Sequence, residues 1–443
     1  MTPRQERAKR AGWGLADQLV ASGSNLALSL TAVRALDPNA LGAFAIVFAV
    51  YLFALNLGRA AIAQPLIARH SHCEHDTWHR ALTEATGTAL LAGTAGGLVL
   101  AIVGFTLGDD LGPGLLALGV LLPGLLIQDA LRYAFFAANV PFRAFVVDAI
   151  WAALAVPALL WMAFSPPVPV AALVGAWGVA GCLAAGAGLL VSRARPQPLR
   201  TRAWLRAHRA FLPALVGGTL LEVAAQTLTT AGIGALAGLR AAGALRVGQL
   251  LLSPAFFAYQ ASALVVPPEA ARLARTNPHR LLRLLARTAA LLALVIAGSA
   301  IVILLIPPEL GRDLLPANWD SGHVLVAPLA VAMIGQVGAF AAATILLVLA
   351  SMRRAFRMSV LSAISLTVTQ LVGARLAGAP GVAVALAGTY PCLATAAWLL
   401  ARRAGREASA AFTGDAAPTP SPGDAAQTAS TACAGQCSTI PQP

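Results

Sequence analysis

Apolar runs of about 20 residues recur along almost the whole chain, each long enough to cross a bilayer as a helix. Short stretches rich in arginine, proline, glycine and aspartate separate them. The pattern predicts twelve spans, near residues 13–34, 41–67, 82–106, 114–138, 144–164, 168–192, 211–237, 243–266, 284–306, 321–350, 357–377 and 381–400. The expected fold class is an all-α polytopic membrane protein. Composition agrees: 58% of the 443 residues are hydrophobic and only 11% charged, against about 25% charged in a soluble domain. No water-soluble core is expected.

The net charge of +13 rests on thirty arginines and a single lysine, Lys9. Such a balance can serve nucleic acid, but here the arginines are better used to orient spans, and no nucleic acid is expected. With the N-terminus in the cytoplasm, twenty-five of the thirty-one basic residues fall on inside segments, Arg132 and Arg143 among them. The outside turns keep Arg34, Arg240, Arg312 and Arg375, while Arg59 and Arg246 lie within spans. This is the positive-inside pattern, which predicts a multi-pass protein of the cytoplasmic membrane with both termini cytoplasmic. Asp17, Gln18 and Asn25 interrupt the first apolar run and argue against a signal peptide. No two of the five cysteines face each other across an outside loop, so no structural disulfide is expected.

The chain divides into two halves. A bundle over residues 1–192 and a second over 211–406 flank a basic linker, 193–210, and a tail, 407–443, rich in Ala, Pro, Ser and Thr, reads as disordered. In the linker, Trp204 and Leu205 among arginines predict a short interfacial helix on the anionic inner leaflet. The stretch RALDPNALGAFAIVFAVYLFALNLGRAAIAQPLIAR, 34–69, and its counterpart LAGLRAAGALRVGQLLLSPAFFAYQASALVVPPEAAR, 236–272, share a layout: a turn, a glycine, a long span, and a proline ahead of an arginine. Gly42 matches Gly243, and Pro65 falls near Pro267. Six spans per half make this a parallel repeat about an axis along the membrane normal, as in transporters whose substrate path lies between halves.

The opening GWGLADQLVASGSNLALSLTAVRALDPNALGAFA, then LNLGRAAIAQPLIAR and AGLRAAGALRVGQLLLSP, resembles the polysaccharide-biosynthesis flippases of the multidrug/oligosaccharidyl-lipid/polysaccharide (MOP) exporter superfamily. The resemblance is strongest over spans one, two, seven and eight. It implies two six-helix bundles in a MATE-like V around a central cavity. It also implies alternating access that moves a lipid-linked oligosaccharide or polysaccharide precursor across the membrane. The implied partners are membrane lipid, a polyprenyl-pyrophosphate-linked glycan and polysaccharide-synthesis enzymes.

The chemistry-bearing residues narrow the classes. No GxxxxGK[ST] occurs, so no P-loop in this chain powers transport. No cofactor and no enzymatic activity are expected, and the outside loop near 308–320 is too small to house a sugar-transfer site alone. Arg59, well inside span two, must face a bundle interior or a water cavity, because a mid-membrane charge costs a few kcal/mol. It offers a bidentate fork to a phosphate. Pairing with a span carboxylate or snorkelling are the alternatives. Candidate substrate contacts are Arg59, Arg246, Gln64 and Asn25; candidate ion-coupling groups are Glu222 and Asp17. Asp129 and Arg132, three apart on one helix face, are expected to neutralise each other. The loop RHSHCEHDTWHR places His75 and His79 four apart, but its spacing matches no standard metal set. A solvated loop with Trp78 at the interface is expected, and no metal. Two other classes remain open: a multidrug or cation antiporter of the same superfamily, and a non-transporting membrane scaffold for polysaccharide synthesis.

Overall fold

The computed structural model describes residues 3–414 apart from 71–74, 109–110, 139, 166, 210–211, 277 and 350–351; within the helices some side chains, Glu222 among them, lie outside the described residues. No strand occurs among the described residues. Each of the twelve expected apolar runs has most of its described residues in helix.

In the first half, α1 (Pro3–Ala35) is followed by α2 (Pro38–Gly58), a five-residue π-helical stretch (Arg59–Ala63) and α3 (Gln64–His70), which together make one span. Then come α4 (His75–Thr106), α5 (Leu111–Ala137), α6 (Pro141–Ala163) and α7 (Val170–Ser192). Asp37 caps α2 with its carboxylate on the amides of Asn39 and Ala40, and Pro38 supplies the preset first position. A linker helix, α8 (Thr201–His208), leads to the second half. That half holds α9 (Leu212–Ala237), α10 (Leu239–Leu251), α11 (Ser253–Thr276) and α12 (Pro278–Leu304). It continues with the short α13 (Pro308–Leu314) and α14 (Trp319–His323), then α15 (Val326–Val348) and α16 (Met352–Gly414).

Among the described residues, eight helical segments are long and apolar enough to cross a membrane, nine if α10 and α11 count as one bent span. Polar residues dilute α1 from Asp17 to Thr31 and keep it out of that number. The surface confirms the solvent: Phe105, Val120 and Leu190 are 80%, 77% and 80% exposed. Large side chains left outside in such numbers fit a hydrocarbon surround, not water.

Packing repeats between the halves. In the first, α4 packs on α5, α5 on α7, and α1 on α6; in the second, α12 packs on α15, α15 on the far arm of α16, and α9 on α16. The two arms of α16 turn at Ala377 and Gly378, where Gly378 has φ 61° and ψ −140°, a backbone region essentially reserved for glycine.

Span eight is bent: α10 and α11 meet at 65°, because Pro254 cannot donate back into the preceding turn. Two expectations are corrected. Trp204 does not lie among lipid headgroups; it is 1% exposed, packed under α8. Its indole Nε1 donates to the Ala61 carbonyl at 3.1 Å, inside the π-helical stretch, where the ordinary helical ladder is broken. Trp78 is likewise buried, in the first turns of α4.

Candidate functional site

Charged side chains within the spans gather along α5. Arg59 stands at the start of the π-helical stretch and meets Asp129 as a fork. Nε donates to Oδ2 at 3.0 Å and Nη2 to Oδ1 at 2.8 Å, and the guanidinium lies 5.3 Å from the Tyr133 ring centre. Arg132 points to other elements: its Nη2 donates to Asp17 Oδ2 on α1 at 2.6 Å, and its Nε lies 3.1 Å from Asp148 Oδ2 on α6. Gln128 donates to the other oxygen of Asp148.

The expected pairing of Asp129 with Arg132 therefore does not form. Spacing by three does put both on one face of α5, but α1, the π-helical stretch and α6 bring Asp17, Arg59 and Asp148 to that face, and each charge pairs across helices instead. Arg132 also leaves the inside loops to which its sequence position assigned it. The structure brings Asp17 into this cluster and leaves its Oδ1 buried without a hydrogen-bond partner. Gln128 and Asp148 complete the cluster; the first gave no signal in the sequence, and the second only that of an acid within a span.

Arg246 is placed differently. It projects from α10 toward α1 and α2, where Nη2 donates to Ser29 Oγ at 3.0 Å and the guanidinium covers the Phe48 ring at 4.8 Å. Its Nε is buried with no hydrogen-bond partner, and no carboxylate pairs with it among the described residues. Asn25 lies one turn before Ser29 on α1 and is exposed; Gln64 is exposed at the start of α3. The coupling candidate Glu222 sits on α9, and its side chain lies outside the described residues. So do the side chains of His70, His72, Cys73 and His75.

Beside Arg246 the two halves close on each other, on the face opposite the linker. Asn318, ahead of α14, donates its amide to the carbonyls of Val33 and Leu36 at 2.8 and 3.0 Å, capping the end of α1. Arg34 reaches the carbonyls of Asp313 and Leu314 at 3.3 and 3.0 Å.

No family model matches the chain, and no curated protein matches it. Solved structures do. An inward-facing multidrug-resistance MATE family transporter of the MOP superfamily aligns with a TM-score of 0.68 at 12% identity, over 89% of this chain and 99% of that one. The lipid II flippase MurJ, in an inward closed conformation, aligns at 0.66 and 10% identity, over 92% and 93%. An outward-facing MATE family transporter of the MOP superfamily aligns at 0.56 and 13%, over 92% and 97%. The chain shares the fold of these solved proteins. It is an all-helical, multi-pass membrane protein, as expected.

Proposed function

We propose that the protein carries an anionic, lipid-linked substrate, a pyrophosphate-linked oligosaccharide or polysaccharide precursor, across the membrane by alternating access between its halves. The observation that carries this is Arg246. A permanent cation, half-buried where α10 meets α1 and α2 with its Nε fully enclosed, has among the described residues one hydroxyl and one aromatic face for company and leaves that Nε unused. A buried charge without a counter-charge is costly, and a phosphate would supply the missing acceptors. Asn25, a turn from Ser29, would add a polar contact to the headgroup. Arg59 is neutralised by Asp129 and contributes through its remaining Nη1.

Asp17, Asp129 and Asp148 all face arginines, whereas Arg246 faces no described carboxylate; that contrast favours an anionic cargo over a cationic one. Asp17 and Asp148 share the one guanidinium of Arg132, which leaves one negative charge in excess. We assign that excess to the coupling step, with a proton or an alkali cation as the balancing charge. Closure at the face opposite the linker, and the higher TM-score to the inward-facing transporter, support an arrangement open toward the linker side, which the arginine distribution puts in the cytoplasm.

The test is flipping of a fluorescent polyprenyl-diphosphate oligosaccharide in proteoliposomes. Arg246→Ala should lose about tenfold or more of the rate, the scale of a charged hydrogen bond, at unchanged reconstitution, and Arg246→Lys should retain part of it. A wild-type rate from Arg246→Ala would refute the reading. Uptake of a cationic dye that depends on Asp17, without glycolipid flipping, would establish the antiporter instead.

A further inference from the structure

A second concentration of charge lies far from Arg246, on the linker face of the first half. Where α4 and α6 begin, α7 ends and the linker crosses them, an open basin of about 1000 Å³ is lined by Arg80, Arg143, Arg193, Arg195 and Arg200. Asp76 also lines it. The one ion pair among these five guanidiniums and the described residues joins Arg200 to Glu84 at 3.6 Å. Positive charge is left in clear excess.

The basin is fixed by backbone. Gln197 donates its amide to the Thr83 carbonyl at 3.1 Å, and Gly87 lets the linker pass so close that a Cβ there would overlap Gln197. Arg193 ends α7 in the left-handed region, φ 53° and ψ 21°, an unusual place for a residue with a long side chain. A merely solvated arginine needs none of these constraints.

Apolar residues flank the lining arginines in the chain. Val191 lines the basin and is 47% exposed, and Leu190 before it is 80% exposed. Leu199, next to Arg200, is 95% exposed, and Phe142, next to Arg143, is 50% exposed with one edge of its ring packed on Trp13. Arginines beside exposed aliphatic and aromatic side chains, at the ends of spans, match an amphiphile that is anionic at one end and apolar at the other. A free phosphate or a nucleotide would use the arginines and leave these apolar neighbours idle.

We propose that this basin binds an anionic phospholipid, with its phosphates on Arg143, Arg193 and Arg195 and its acyl chains along Leu190, Val191 and Phe142. The site is separate from the transport path, and it stands whichever substrate the protein carries. Five guanidiniums favour a headgroup with two phosphates over one with a single charge.

The experiment uses the full-length chain in a neutral detergent, with native mass spectrometry and a binding titration. The probes are tetraoleoyl cardiolipin, dioleoylphosphatidylglycerol, dioleoylphosphatidylcholine and sodium pyrophosphate. Wild-type protein should bind cardiolipin more tightly than phosphatidylglycerol and show no specific phosphatidylcholine adduct. Affinity should fall as salt rises, since exposed charges are screened. Arg143→Gln with Arg193→Gly and Arg195→Gln should weaken cardiolipin binding about a hundredfold, from about a factor of five per basic residue. Arg202→Gln with Arg206→Gln, on exposed positions of α8 outside the basin, should leave it unchanged. Gel filtration and helical circular dichroism check the fold. Arg193→Gly alone, which relieves the backbone, gives a second reading if the triple variant misfolds, with about a fivefold loss expected. Unchanged cardiolipin binding in the properly folded triple variant, or in Arg193→Gly where only that variant folds, would overturn the proposal. So would an equal loss in the α8 control. Pyrophosphate binding without lipid binding would make the basin a soluble-anion site and overturn it too.

Discussion

Gly42 and Gly243, at matching places in the two halves, meet each other. A Cβ on Gly243 would come within 2.8 Å of the Pro38 carbonyl oxygen and 3.1 Å of the Gly42 amide, and one on Gly42 would overlap the Leu239 carbonyl. Each glycine is thus needed where α2 and α10 cross, at the face opposite the linker, and the contact is reciprocal, each glycine lying against the first residue of the other helix. Gly42→Val should force the helices apart there, at the scale of about 1–3 kcal/mol for overpacking. In a chain with its five native cysteines replaced by serine, a cysteine at Ala241, now 9% exposed, should react slowly with a membrane-impermeant maleimide. With Gly42→Val added it should react severalfold faster. Equal rates would mean that this crossing does not hold the face closed.

The fork between Arg59 and Asp129 sets a second expectation. Asp129→Asn leaves a permanent charge in the bundle with a weakened partner, and breaking a buried pair costs about 3–5 kcal/mol. Membrane abundance and the thermal midpoint should both drop. Arg59→Gln added to Asp129→Asn should recover most of the loss, because no charge is left to desolvate. If the double variant is as unstable as the single, the pair is not what holds these residues.

Much of this was legible beforehand, and the limits have physical causes. Span positions follow from hydropathy alone, because the bilayer fixes helix length whatever the partners are. The oddness of Arg59 was equally plain, since a charge in a span must be answered by something. What answers it was not plain: Asp129 lies seventy residues away, and three-residue spacing pointed Asp129 at Arg132 instead. Local periodicity ranks neighbours on one helix and is blind to α1, α2 and α6 arriving from the side. Trp204 failed for the same reason. Its arginine-rich neighbourhood reads as headgroup contact until α2 is seen to offer a carbonyl freed by its π-helical stretch. The match of Gly42 to Gly243, by contrast, was visible in sequence and has a contact as its cause.

Arg193 should be replaceable to the protein's benefit. It is the only described non-glycine residue with positive φ, and it ends α7 where glycine is the usual choice. Arg193→Gly should raise the thermal midpoint, by a gain of up to about 1 kcal/mol in stability. The measurement is a melting curve in detergent without added anionic lipid, since bound lipid would offset the gain. A lower midpoint under those conditions would show that the side chain contributes more to the fold than its backbone strain removes.

Arg132 provides the sharpest separation between a structural and a coupling role for the acids around it. Its guanidinium serves both Asp17 and Asp148, so Arg132→Gln strands two carboxylates at once, whereas Asp17→Asn removes one and leaves Arg132 with Asp148. The structure therefore predicts an order: Arg132→Gln should be poorly inserted, at the scale of about 3–5 kcal/mol for a broken buried pair, while Asp17→Asn should accumulate near wild-type level. Asp17→Asn and Asp148→Asn together in the Arg132→Gln background should restore accumulation. Transport sorts the variants differently. If the excess carboxylate is the coupling group, Asp17→Asn should be well folded yet slow, and its rate should no longer respond to an imposed proton or sodium gradient. Asp17→Asn that keeps a gradient-dependent rate in proteoliposomes would remove Asp17 from the coupling step and leave it the role of positioning Arg132.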